Sequence, residues 1–94
     1  MVNPKLAMQI HKRDNFICQY CGKDMLRSVD DWSQMVIDRF KAKNKNRLVT
    51  SCQLCDRIKG KETFSNMQEA RGFVMMNRIQ LQKAYLRIRK RLGR

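Results

Sequence analysis

The sequence predicts an α+β fold: a small cysteine-stapled module held between an N-terminal helix and a long basic C-terminal helix. Three observations lead there. Two Cys-x-x-Cys pairs, Cys18/Cys21 and Cys52/Cys55, are separated by 30 residues. Two short apolar, partly β-branched runs, Met35 to Asp38 and Leu48 to Thr50, fall inside or at the edge of that interval and read as strands. From Met67 onward, apolar residues return at steps of three, four or seven as far as Leu92, the mark of a helix. At 94 residues there is room for one domain. Residues 1–14 form its N-terminal helix, 15–62 the module and 63–94 the basic amphipathic helix.

The elements follow in order. Asn3 caps a helix that begins at Pro4, with Leu6, Ala7 and Ile10 as its apolar stripe up to Arg13. Phe16 to Cys18 reads as a short strand entering the first cysteine pair. Ser28 caps a brief helix through Asp30, Asp31 and Trp32, the acids suiting its N-terminal end and Trp32 expected in the core. Lys41 to Arg47, with no apolar side chain beyond Ala42, is expected to be a loop between the two strands. Cys55 to Lys61 starts a helix that breaks near Gly60. Ser65 and Gln68 form a capping box for the long helix, whose stripe is Met67, Ala70, Val74, Leu81, Ala84, Ile88 and Leu92.

Two residues between paired cysteines let a tight turn aim both sulfurs at one point. Two such pairs supply four corners of a tetrahedron at Zn–S distances of about 2.3 Å. Gly22, directly after the first pair, supplies the positive φ that such a turn needs. The sequence therefore predicts a structural zinc ion on Cys18, Cys21, Cys52 and Cys55, closed to water and substrate. Two disulfides, or four unrelated buried thiols, are the alternatives. No secretory signal is evident near the start, so the thiols are expected inside a cell, in cytoplasm, nucleoid or an organelle interior, where paired cysteines favour metal. A core this small exposes much of its surface, and a closed zinc site contributing on the order of 10 kcal/mol supplies the missing staple.

Charge narrows the partners. Twenty-one Lys and Arg against eight Asp and Glu leave a net +13, a field that draws a protein toward polyanions, nucleic acid first among them. No apolar run is long enough to span a bilayer, and no membrane partner is expected. From Thr63 onward, eight basic residues face the single acid Glu69. Such a helix either docks its stripe on the module with a solvated outer face, or lies along phosphates or within an assembly.

Arg13 to Lys23 (RDNFICQYCGK), Val36-Ile37-Asp38, Leu48-Val49-Thr50, Cys52-x-x-Cys55 and Lys59-Gly60 together resemble the cysteine-containing HNH endonuclease family, over about residues 12–61. That resemblance implies a ββα-metal unit, a two-stranded hairpin and a helix around a catalytic divalent ion, beside the four-cysteine zinc site. It accounts for the 30 residues between the cysteine pairs. It also implies an Asp-His pair ending the first strand, a middle Asn before the second, and an Asn or His after the last cysteine. Here those positions read Asp38-Arg39, Arg47 (with Asn46 one residue early) and Asp56.

The general base is therefore missing. Arginine, with a pKa above about 12, does not accept a proton near neutral pH. His11, the one histidine, lies before the first cysteine pair and reads as a surface or packing residue. The pattern points to an inactive HNH-like module that binds the backbone of DNA or RNA. Its phosphate-contacting residues are expected to be Arg39, Lys41, Lys43, Lys45, Arg47, Arg57 and Lys59. Two alternatives stay open. One is a basic accessory subunit of a nucleoprotein assembly such as a ribosome-like particle or polymerase complex, its Phe73, Met75, Met76 and Tyr85 meeting protein partners. The other is a residual nuclease in which Asp38 and Asp56 hold a second divalent ion. Tyr20, Trp32, Phe40 and Tyr85 are scattered and form no stacking array, so base readout is not expected.

Overall fold

A computed structural model of the chain describes residues 3–41 and 47–94. The expectations at Lys43, Lys45 and Asn46 lie outside the described residues. Among the described residues, four helices and two strands follow in the order α1 (Pro4–Arg13), α2 (Val29–Ser33), β1 (Met35–Arg39), β2 (Leu48–Cys52), α3 (Gln53–Lys59) and α4 (Met67–Arg91). The α+β class holds.

Helix α1 begins as its sequence requires, with the Asn3 side chain accepting from the Leu6 amide at 2.8 Å and Pro4 in the first turn. It closes on Ile10 and His11, whose carbonyls accept from Asp14 and Phe16 at 3.0 and 2.8 Å. That closure puts Asn15 and Phe16 both at φ 56°. Asn tolerates the left-handed region; for Phe it costs on the order of 1 kcal/mol. The expected strand at Phe16 to Cys18 is accordingly reduced to one bridge between Ile17 and Asp24.

Strands β1 and β2 pair antiparallel in the register Met35↔Cys52, Ile37↔Thr50 and Arg39↔Leu48. All five residues of β2 are buried, because the strand is covered on both sides. Helix α1 meets it through His11, whose Nδ1 lies 2.8 Å from Thr50 Oγ1. The Arg13 guanidinium donates to the Leu48 carbonyl at 2.7 Å, and the Thr50 amide donates to Asp14 Oδ2 at 2.8 Å. On the other side lies the core of Cys18, Tyr20, Met25, Phe40, Val49, Cys52, Cys55, Ala70 and Val74.

Two local expectations shift. Trp32 is 54% exposed and outside the core. Helix α2 turns the neighbouring Asp31 inward instead, where Lys23 and Arg27 pair with it at 2.7 and 3.1 Å. Two ion pairs fix a five-residue helix with Asp31 in and Trp32 out. Helix α4 is capped by Asn66, whose Oδ1 accepts from the Glu69 amide at 2.8 Å, one residue later than the Ser65/Gln68 pairing predicts. Ser65 bonds the Glu69 carboxylate instead. Asn is as good a cap as Ser, and Glu69 then occupies the third helical position. The first half of α4 packs on the module through Met67, Ala70, Phe73 and Val74, and beyond Arg78 every residue except Ala84 is exposed.

Candidate metal centre and the adjoining carboxylate cluster

The first knuckle is closed by backbone alone: the Gly22 amide donates to the Cys18 carbonyl and the Cys18 amide to the Lys23 carbonyl, both at 2.9 Å. Gly22 sits at φ 79°, where any Cβ is strained. The second knuckle is the β2–α3 junction. Cys52 ends the strand and caps the helix, its Sγ accepting from the Cys55 amide at 3.4 Å. Helix α3 thus starts two residues earlier than expected, because the cysteine itself serves as the cap. The result brings the Sγ atoms of Cys18, Cys21, Cys52 and Cys55 within 4.8 Å of one another. No disulfide joins them. Four such sulfurs form a cluster able to hold a metal ion, and the all-thiol donor set suits a tetrahedral soft-ligand centre.

Arg78 completes the surroundings, and sequence reasoning missed it. Its Nη1 donates to Cys55 Sγ at 3.4 Å. Burial alone would lower the guanidinium pKa, but the charges of Cys55 and Cys21 outweigh it and the net shift is upward. The available signal was a cation at the helical step between Val74 and Leu81, on the stripe that otherwise faces the core.

Beside the cysteines lies a second buried cluster. Tyr20 Oη donates to Asp38 Oδ2, and Lys59 Nζ stands 3.5 Å from the same oxygen. Lys59 also donates to the Glu62 and Gly60 carbonyls at 2.7 and 3.2 Å. Gly60, at φ 59°, turns the chain sharply enough to bring those carbonyls round the ammonium. Burial, reinforced by Asp38, holds the Tyr20 phenol far above its ordinary pKa, so it remains a donor. The Asp56 carboxyl is raised to about 6, first by burial and then by the neighbouring Asp38 carboxylate. Asp56, half-buried on α3, adjoins this cluster.

Lys59 was expected among the phosphate-contacting residues; at 2% exposure it is instead the internal counter-ion of Asp38. Its ammonium donates to two carbonyls and pairs with the Asp38 carboxylate. Arg39 is exposed at the end of β1. Lys41 and Arg47 are half-buried beside it, with the Phe40 amide donating to the Arg47 carbonyl at 3.1 Å. Arg57 is exposed on α3. Arg39 shares an open concavity with Lys61, Leu48 and His11, whereas Arg57 is not among its lining residues. His11 is a packing residue, buried on Thr50. Desolvation lowers its pKa more than Asp14 raises it, so it stays neutral near pH 7.

Among the described residues, no helix is long and apolar enough to cross a membrane. The chain matches no family model, and no curated protein or solved structure proved similar to it.

Proposed function

We propose that this chain is a catalytically inactive, HNH-like zinc module that binds nucleic acid through backbone phosphates. Zinc is the ion suited to a closed set of four thiolates. The observation that carries the reading is the Asp38–Arg39 step at the end of β1. A nuclease of this kind needs a carboxylate free to bind a divalent ion beside an imidazole that activates water. Asp38 instead has Lys59 and Tyr20 as its partners, and the next residue is an exposed arginine. Lys59 supplies the positive charge that a second divalent ion on Asp38 and Asp56 would otherwise supply, which weighs against that ion. What remains at the hairpin end is cationic: Arg39, Lys41 and Arg47, with Lys61 across the concavity.

The test is fluorescence anisotropy with labelled duplex DNA and RNA across a salt series, beside incubation of a plasmid with Mg²⁺. Affinity should fall with salt at a slope of about −0.9 per neutralised phosphate, and Arg39→Ala should reduce that slope by about one. The plasmid should stay intact. A flat salt response would overturn the binding assignment. Nicking that Asp38→Ala abolishes would instead identify a working nuclease.

A further inference from the structure

Helix α4 is longer than its docking site. Its inward stripe runs through Met67, Ala70 and Val74, which pack on the module. The same stripe, projected at 3.6 residues per turn, continues through Leu81, Tyr85, Ile88 and Leu92. These four are 47, 53, 59 and 61% exposed. The spacing of four, three and four is that of a helix-pairing seam. At its inner end the seam meets α3, where Leu54, Arg78, Leu81, Gln82 and Tyr85 line a groove. At its outer end Tyr85, Ile88 and Leu92 line a second one with Arg89 and Arg94.

Charge decides what fits there. Eight Lys or Arg follow Glu69 and no Asp or Glu, and Arg89 and Arg91 flank the seam at its edges. A second copy would bring the same excess of positive charge to the contact. Phosphates would satisfy the arginines and leave the apolar side chains in water. A bilayer is excluded from this face by shape, because the module projects from the same side of α4 that carries the seam. An acidic helix with its own apolar stripe satisfies both the seam and its rim.

We infer that the distal half of α4 is a docking surface for an acidic amphipathic helix of a partner protein, seated in the corner between α3 and α4. This is independent of the phosphate-binding reading, which rests on the β1–β2 hairpin. The probe is a labelled synthetic helix of about 21 residues with leucines at alternating steps of three and four and glutamates elsewhere. Its control has the same composition in scrambled order. The patterned peptide should bind the full chain at least about tenfold more tightly than the scrambled one. Leu81→Asn/Ile88→Asn, and separately Tyr85→Gln, should weaken it by a similar factor while metal content and helical circular dichroism stay unchanged.

Equal binding of both peptides, or none, would overturn the proposal. So would undiminished binding by both variants. Sedimentation showing a wild-type dimer that Leu81→Asn/Ile88→Asn dissolves would assign the seam to a second copy instead. Recruitment of wild type, but not of that variant, to phosphatidylserine vesicles would assign it to a lipid surface.

Discussion

Lys59 and Asp38 face each other at 3.5 Å with side chains only 2 and 7% exposed. Replacing one partner leaves the other buried and uncompensated, a loss of about 3–5 kcal/mol. Lys59→Met should therefore lower the urea-unfolding free energy by that amount. Asp38→Asn/Lys59→Met should recover most of it, because an amide still accepts from Tyr20 and no lone charge remains. A lysine on the outside would show neither effect, so the pair of measurements separates a counter-ion from a surface charge. From the sequence, Lys59 is one basic residue among 21; its role depends on the turn at Gly60, which wraps two carbonyls around its ammonium. Arg78 is similar in kind. Its position on the stripe was legible, but its acceptor lies 23 residues away in the chain.

At the scale of elements, α4 behaves as two helices joined end to end. Val74 is fully buried against the module, whereas Leu81 on the same stripe is 47% exposed and Ile79, on the opposite face, 53%. Val74→Ala should cost about 2–3 kcal/mol through lost burial and the cavity left behind, while Ile79→Ala should stay within about 0.5 kcal/mol. Thermal or urea unfolding of the two variants checks both values, and equal effects would mean that Val74 is not held against the module. The helix itself was readable from periodicity. Its cap was misplaced by one residue because Ser65 and Asn66 are both good caps, and only the approach of the chain from Phe64, whose amide donates to the Phe40 carbonyl at 2.7 Å, selects Asn66. The brief α2 failed differently: Trp32 has the bulk of a core residue, but the two basic partners of Asp31 outweigh it in so short a helix.

For the molecule as a whole, the four cysteines join the β-hairpin, α3 and the first knuckle, and Arg78 ties α4 to the same sulfurs. The core that remains without them is small: among the described residues, Tyr20, Met25, Phe40, Val49, Ala70 and Val74 are its other buried members. Stripping metal should therefore unfold the chain rather than loosen one corner. With phenanthroline present, circular dichroism should show loss of most tertiary signal and of the cooperative melt, and added Zn²⁺ should restore both, as a site worth on the order of 10 kcal/mol requires. A melt unchanged by the chelator would show that the packed core is sufficient alone.

The cysteine spacing, the strand pair, the long helix and the charge excess are local or periodic features, and each is present in the order of residues alone. Doubled Cys-x-x-Cys needs only short turns to point its sulfurs, and helical stripes declare themselves over a few turns. Tertiary structure decided which charges are free and which are used internally. Asp38, Lys59 and Tyr20 come from β1, the end of α3 and the first knuckle. No pattern along the chain records that they meet. The same holds for the outer half of α4. Leu81, Tyr85, Ile88 and Leu92 continue the stripe that is buried at Val74, and only the extent of the folded module determines where along that stripe burial stops.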